Sequence, residues 1–508
     1  MKVLGRLPLH PLLFAAYAVL FLYSVNLDEV LPVDAAEPLL RGVAGAAGAT
    51  AVLGLMLRDV RRGAIVATAG VVGFFAFGHV APTLAGLGMN DRLQIAVWGL
   101  VVIVALVYSI RARVSLPRTT AGLNVVAGVL VFLAATAIVP HELERAGRRP
   151  VLATPSVAAA GDVGRRPDIY FLVFDRYGSA DAIQRRFGLD NDMYGWLEDQ
   201  GFDVPENSHA NYRATDFSLA ATLNMQFLDN LTRDVGRESG DRTPAHEMIA
   251  NHEVGRFLKG LGYRYYQIGS WFGPTRSIDI ADENIVLGVT SEFESVLLDT
   301  TIVPTVERLL GRVEDETPVA ERTIRERHSE GTLFALRQLR RVSTAPGPKF
   351  VFGHVLLPHD PYVFRADGTL IPEQEARAAD ERDLYAGHLA YANAQIREIV
   401  GYLLAGPEAE RPIVIIEGDE GPLACRRVDC VGATADYFRI RLGNLIAMYL
   451  PGSDAELADN FTSVNTFRLV FREYFGADLP PLPDRSYTWP DNDHIYDFQD
   501  VTELLDDP

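Results

Sequence analysis

The sequence predicts two structural classes in one chain. Residues 1–140 read as a bundle of five transmembrane α-helices, 141–166 as a linker, and 167–508 as an α/β sandwich domain with a largely parallel central sheet. Three observations predict it. Five long apolar stretches crowd the first 140 residues, which carry almost no acids. Beyond Arg148 the composition is that of a water-soluble protein, and most of the −19 net charge lies there. Within that part, short β-branched runs alternate with amphipathic helical patterns, the arrangement that builds a parallel sheet.

The apolar stretches are His10–Asn26, Leu39–Leu57, Ala64–Leu87, Leu93–Ile110 and Thr120–Val139. Each approaches the ~20 residues that a helix needs to cross ~30 Å of hydrocarbon. The first has the basic start and apolar middle of a secretory signal, but "NLDEVLP" follows it instead of a small-residue cleavage site, so it reads as an anchor. Lys2 and Arg6 precede the first stretch, "RDVRRG" joins the second to the third, and "RARVSLPR" joins the fourth to the fifth. The other two connections are acidic or nearly neutral. The excess of arginine on one side places the N-terminus in the cytoplasm and the large C-terminal part outside the inner cell membrane. The acidic balance excludes a nucleic-acid surface, which needs a basic face.

The chain has two cysteines, Cys425 and Cys430. In an oxidising compartment this short spacing reads as a disulfide, since "CRRVDC" offers too few ligands for a metal site.

The linker contains "GRRPVLATPSVAAAGDVGRRP", which has no periodicity. "PDIYFLVFD" then reads as a buried strand ending on Asp175, and "DMYGWLEDQG" and "DFSLAATLNMQFLD" as amphipathic helices. "GRFLKGLGYRYYQIGS" is helix, turn and strand; "KFVFGHVLLPHDPYVF" is a strand running into a His-rich loop; "NAQIREIVGYLLAG" and "PIVIIEGDEGP" repeat helix, turn and strand. In sheets of this kind ligands bind beyond the carboxyl ends of the strands.

Three strands end on polar groups that would share that edge: Asp175; His354 with His359; and Asp419 with Glu420. Two adjacent carboxylates at the mouth of an apolar strand repel each other, and a bound divalent cation relieves the repulsion. Carboxylate oxygens suit Mn²⁺, Mg²⁺ or Ca²⁺. Thr215, in "NYRATDFSLAAT", stands at a helix start and admits two readings. It is an N-cap with Asp216 favourable to the helix dipole, or a hydroxyl nucleophile aimed at an anionic group held by the helix N-terminus.

The order strand–Asp175, helix-start Thr215, "GYRYYQIGSWF", "HVLLPHDPYVF" and "VIIEGDEG" resembles the alkaline phosphatase/sulfatase superfamily. It is most similar to the membrane-anchored branch of lipoteichoic acid synthases and phosphoethanolamine transferases, over about residues 165–475. The resemblance implies an alkaline phosphatase-like fold. It implies that Asp175 is the acidic metal ligand of the first strand, that Thr215 is nucleophile and metal ligand, and that Asp419 and Glu420 close the metal site. It makes His359 a contact to substrate phosphate, His354 a second contact, and Asn211 a hydrogen-bond donor to the transferred group. Glu420 departs from the family, which has histidine there; a glutamate hardens the site and favours Mn²⁺ or Mg²⁺ over Zn²⁺. Arg426 and Arg427, in the loop after the site, would face an anionic substrate or form a solvated turn. Arg468 and His494 in the tail reach toward the site or pack at the sheet edge. No Cys or Ser stands in a CxPxR-like run at the helix start, which argues against a formylglycine sulfatase.

The expected activity is metal-dependent transfer or hydrolysis of phosphate esters of cell-envelope lipids or glycans through Thr215, sulfate esters being the less favoured substrate. The donor would be lipid-linked and the acceptor an envelope glycan or lipid. The alternative from another class is a decayed relative with a binding or scaffolding role, which Glu420 motivates. The scarcity of charges inside the apolar stretches argues against a transporter.

Overall fold

The computed structural model describes residues 7–112, 116–147, 166–288, 291–310, 319–424 and 434–505. Cys425, Cys430 and Arg426, with the expected disulfide and basic loop, lie outside the described residues. Contacts divide the chain into two units: Met1–Arg148 with Thr290–Thr323, and Arg149–Val289 with Ile324–Pro508. The sequence division at the linker did not foresee that Thr290–Thr323 would group with the apolar helices.

The first unit contains α1 (His10–Ser24), α2 (Pro32–Met56), α3 (Val60–Gly86), α4 (Asp91–Arg111) and α5 (Leu116–Gly147). α2 to α5 are long and apolar enough to cross a membrane, whereas α1 is a shorter apolar helix of 15 residues. Local bonds close α1 early: Ser24 Oγ donates to the Phe21 carbonyl and Asn26 Nδ2 to the Leu22 carbonyl, drawing the chain into a turn. α5 instead outruns its apolar stretch and takes in residues 141–147, which the sequence reading gave to the linker. The Glu142–Arg145 pair at 2.9 Å, the Tyr23 hydroxyl on Glu142 and Arg145 on the Leu27 carbonyl hold that last stretch. The returning segment supplies two short helices, Glu292–Asp299 and Val303–Leu309. Between them, the Ile302 N–H donates to the Phe74 carbonyl of α3, and the Gly78 N–H donates to the Thr300 carbonyl. Phe293 and Leu297 bury themselves with Val19, Tyr23 and Ala35, which is why this stretch leaves the outer globule.

The second unit is built on a six-stranded sheet in the order β3-β2-β4-β1-β5-β6. The strands are β1 (Ile169–Phe174), β2 (Arg264–Ile268), β3 (Glu283–Ile285), β4 (Lys349–Val355), β5 (Ile413–Glu417) and β6 (Ile446–Tyr449). All pairings are parallel except β5 with β6. The central strands are apolar throughout because both faces are covered. Ile169, Phe171 and Val173 of β1 join one core with Phe352 and Ile415, while Tyr170, Leu172 and Phe174 join the other with Val351 and Val414. Phe171 packs against Phe352 at 5.3 Å and edge-on to Phe467 at 5.1 Å, so truncating it to alanine would cost about 3–5 kcal/mol.

Candidate active site at the carboxyl edge of the sheet

Register brings the polar strand ends together. Val173 lies opposite His354 of β4 on one side and Glu417 of β5 on the other. Asp175 follows one residue beyond β1, its N–H held by the Val355 carbonyl at 3.0 Å. Beyond β5 the chain reads Gly-Asp-Glu-Gly, and both glycines are required by close approach. A Cβ at Gly418 would sit 2.2 Å from the Tyr177 carbonyl oxygen, and one at Gly421 would sit 2.0 Å from that of Ile440. The two acids are thereby fixed against the end of β1.

Asp175, Asp419 and Glu420 are buried at 3%, 1% and 1% exposure. Asp175 Oδ2 is 3.1 Å from His354 Nε2. Asp419 Oδ1 accepts the Arg176 N–H at 2.8 Å. Glu420 Oε1 accepts from Arg441 at 2.5 Å and from Arg176 Nε at 3.4 Å. The other oxygen of each acid (Asp175 Oδ1, Asp419 Oδ2 and Glu420 Oε2) is buried with no hydrogen-bond partner. Leaving such atoms unpaired costs roughly 1–3 kcal/mol each, more when they are charged. Arg176 also pairs with Asp360. Four carboxylates (Asp175, Asp360, Asp419, Glu420) thus meet two guanidiniums (Arg176, Arg441) and the imidazoles of His354 and His359, an edge richer in acid than in fixed cations. The donor set fits one divalent cation in charge and in hardness. It is gathered but open: among the described residues, no three acidic or imidazole groups of this edge have ligand atoms within 4.8 Å of one another.

The titration behaviour follows from crowding. Burial pushes Asp175 up, but His359, His354 and Arg176 outweigh it and hold the carboxyl well below its usual range. Asp419 goes the other way, pushed up by burial and by Asp175 against the pull of His354, Thr215 and the Arg176 N–H. Burial raises Glu420 to about 7 despite Arg441.

Thr215 opens the helix Thr215–Asn224, but the N-cap position falls on Ala214, which has extended backbone. The Thr215 side chain is therefore not the cap; its hydroxyl faces Asp419 and helps to hold that carboxyl down. The next residue anchors the helix start: Asp216 takes Arg242 at 2.9 Å and lies 3.5 Å from His246 Nε2. Burial raises Asp216, yet Arg242 and His246 prevail and bring it to about 2.

His359 is part-buried, with Nε2 4.0 Å from Asp175 Oδ1. His354 is fully buried, with Nδ1 2.7 Å from the Thr275 hydroxyl and Nε2 on Asp175. It orients Asp175 and does not open onto the site, which corrects its reading as a substrate contact. Behind His359, the rings of His328 and His388 follow at 6.4 Å and 5.8 Å, and both His328 nitrogens are buried without a hydrogen-bond partner.

Three further residues are engaged elsewhere. Asn211 is buried, its Oδ1 accepting the Val464 N–H at 2.7 Å and its Nδ2 donating to the Arg485 carbonyl at 2.8 Å, so both polar atoms brace the tail. Arg468 is spent on the Pro480 and Met225 carbonyls. His494 pairs with Asp491 on the surface. Sequence reasoning missed Arg176, Arg441 and Asp360. Arg176 was the accessible one, because it directly follows Asp175 and adopts a left-handed φ of 59°, strain that the Asp419 bond to its N–H offsets.

No family model matches the sequence, and no curated protein matches it. Solved structures similar to the chain include the C-terminal periplasmic domain of EcEptC from Escherichia coli, at 13% identity, covering 69% of this chain and 97% of that one with a TM-score of 0.40. A protein in the alkaline phosphatase superfamily from Vibrio parahaemolyticus matches at 12% identity over 68% and 80% with a TM-score of 0.38. The C-terminal periplasmic domain of the phosphoethanolamine transferase EptC from Campylobacter jejuni matches at 13% identity over 63% and 92% with a TM-score of 0.35.

Proposed function

We propose that the chain is a membrane-anchored, alkaline phosphatase-like transferase or hydrolase of phosphate esters, working outside the inner membrane with Thr215 as nucleophile. The observation that carries this reading is the gathering of three buried carboxylates, each with one unpartnered oxygen, at the strand ends where Asp419 meets the Thr215 hydroxyl. Asp175, Asp419, Glu420 and the Thr215 oxygen would hold one divalent cation, Mn²⁺ or Mg²⁺ suiting an oxygen donor set best. Such an ion supplies Lewis acidity, lowering the pKa of the threonine hydroxyl and offsetting the crowding of the carboxylates.

The chain's own groups do the rest. Asp419 orients the Thr215 hydroxyl, and the first-turn N–H groups of its helix face an incoming phosphoryl group. The threonine oxygen gives its proton to Asp419 and bonds to phosphorus as the bond to the leaving oxygen breaks, giving a phosphothreonine. His359 donates the proton that the leaving oxygen takes up. Water or an acceptor hydroxyl then attacks the phosphothreonine, giving its proton to His359, and the departing Thr215 oxygen takes its own proton back from Asp419. Membrane anchoring favours a lipid-linked donor and an envelope glycan or lipid acceptor. The absence of a formylglycine-type run keeps sulfate esters the less favoured substrate.

The test is the intact mass of the purified chain after incubation with Mn²⁺ and envelope lipids. An adduct of phosphoryl-group mass on wild type and none on Thr215→Ala supports the nucleophile; equal adducts on both remove it.

A second reading has its own observation. Two arginines clamp Glu420, so the site holds internal cations where a metal would otherwise reside. A purified chain with no divalent ion, no response to added Mn²⁺ and no turnover of bis(p-nitrophenyl) phosphate would favour a decayed, binding role.

A further inference from the structure

Between β3 and β4 the chain returns to the apolar helices as two short helices, Glu292–Asp299 and Val303–Leu309, joined by a turn at 300–302. That turn docks on the main chain of α3. The Phe74 carbonyl accepts the Ile302 N–H at 3.0 Å, and the Gly78 N–H donates to the Thr300 carbonyl at 2.9 Å. Glycine is required there, since a Cβ at Gly78 would sit 2.7 Å from the Thr300 oxygen.

Helix rise places the turn at membrane depth in two independent ways. Along α3, Phe74 and Gly78 stand about 15 and 21 Å beyond Ala64, where the apolar stretch begins beside the basic "RDVRRG" turn. In a ~30 Å hydrocarbon layer, this leaves the turn roughly 9–15 Å below the opposite face. Ion pairs mark that face at both ends of the hairpin: Glu294 with Arg41 of α2 at 2.5 Å, and Arg308 with Asp91 of α4 at 2.8 Å. Arg41 and Asp91 stand where the apolar stretches of α2 and α4 begin, and both stretches run toward basic connections. Six residues separate Glu294 from Thr300 and Ile302 from Arg308, about 9 Å of helix on each limb.

The turn also has the bonding that hydrocarbon demands, where no water satisfies the main chain. The N–H groups of Thr300, Thr301 and Ile302 reach the carbonyls of Leu297, Leu298 and Phe74. The Val303 N–H reaches the Thr301 hydroxyl, and Pro304 has no N–H to satisfy. Both threonine hydroxyls fold back onto the Leu297 and Leu298 carbonyls. Asp299, the acid beside the turn, is half-buried and engaged by the protein. Phe293 and Leu297 pack into the bundle, whereas Val296, Leu298, Val306, Leu309 and Leu310 are exposed.

We propose that residues 291–310 form a re-entrant membrane hairpin. It enters the leaflet opposite the basic turns, reaches its turn inside the hydrocarbon and leaves on the same side, with its exposed apolar side chains on lipid acyl chains. These side chains continue the lipid-facing surface of α2 and α4, and the paired charges stop at the boundary. The sheet thereby has a second attachment to the bilayer, spliced between β3 and β4, besides the one through α5. Membrane placement of the first unit carries this reading and the chemistry of Thr215 does not, so the two fail separately.

The experiment is site-directed spin labelling of the full chain in phosphatidylcholine–phosphatidylglycerol vesicles, on a background of Cys425→Ser with Cys430→Ser. Labels are attached at Val296→Cys, Leu298→Cys, Val306→Cys and Leu310→Cys. Leu133→Cys, exposed on α5, and Ala378→Cys, exposed in the outer unit, serve as lipid and water references. Collision with oxygen is expected to exceed collision with a water-soluble nickel chelate at Leu298 and Val306, as at Leu133. Leu298 should lie at least about 6 Å deeper than Leu310, four residues of rise below the Glu294 boundary. Nickel access equal to that of Ala378, equal depths for Leu298 and Leu310, or exclusion of both reagents by a second copy seated on this face would overturn the hairpin. Wild type, free of substitutions, gives an independent reading when photolabelled by a phospholipid with a diazirine near its acyl terminus. Label is expected in the tryptic peptide 277–308, and its absence beside a labelled α4 would equally overturn the hairpin.

Discussion

Arg441 donates to Glu420 Oε1 at 2.5 Å and, through the same nitrogen, to the main-chain carbonyl of Arg213 at 3.0 Å. Its other terminal nitrogen holds the Gly421 carbonyl at 2.8 Å. One buried guanidinium thus ties the acid pair after β5 to the loop that delivers Thr215. Removing it leaves Glu420 buried beside Asp419 with only the longer Arg176 contact. Arg441→Met is expected to destabilise the outer unit by about 3–5 kcal/mol in urea unfolding. Arg441→Met with Glu420→Gln should recover more than half of that loss; additive losses would show that the pair is not coupled.

Thr215 is separable from folding because the cap position belongs to Ala214. Thr215→Ala should change stability by less than about 1 kcal/mol, alanine being a good helix former. It should abolish turnover of a phosphodiester, which an absorbance assay with bis(p-nitrophenyl) phosphate reads directly.

His359→Gln is expected to slow turnover by about 10²–10⁴-fold with a poor leaving group and much less with p-nitrophenolate, which leaves without a proton. Comparing the two substrates separates proton donation from simple binding, which would affect both alike.

Glu417 ends β5, pointing away from solvent toward Thr466, whose hydroxyl lies 3.1 Å from Oε2. Burial raises its pKa to about 8, against the pull of Ser463 and Thr466. The folded value lies above the unfolded one, so this group favours folding in its protonated form. Its contribution is fully present below the unfolded pKa and is lost as pH rises through about 8. Glu417→Gln should therefore leave stability at pH 5 nearly unchanged and flatten the decline between pH 5 and 9 in thermal unfolding monitored by circular dichroism.

What the sequence made legible were the groups whose position is local to an element. Asp175 and Asp419 stand one and two residues past apolar strands, and a parallel sheet places all such ends on one edge. Thr215 was legible as a helix start, though only the backbone of Ala214 decided between cap and free hydroxyl. Groups fixed by long-range pairing were not legible. Nothing in "ADYFRIRLG" marks Arg441 as the partner of Glu420, and nothing near Asn211 reveals that the tail claims both of its polar atoms. His354 was read through the resemblance as a second substrate contact; it lies buried on β4, with its Nε2 on Asp175. The return of Thr290–Thr323 to the apolar helices was hidden because its short amphipathic helices read equally well as part of a soluble globule.

Cation binding by the three carboxylates is the central claim, and metal content tests it most directly. The purified chain, stripped with a chelator and reloaded with Mn²⁺, is expected to hold about one ion per chain by plasma mass spectrometry, the one that the gathered carboxylates would bind. Asp175→Asn and Asp419→Asn should each weaken binding by at least about tenfold, the effect of removing one charged ligand. A wild-type chain that takes up no divalent ion, or variants that bind as wild type does, would contradict it.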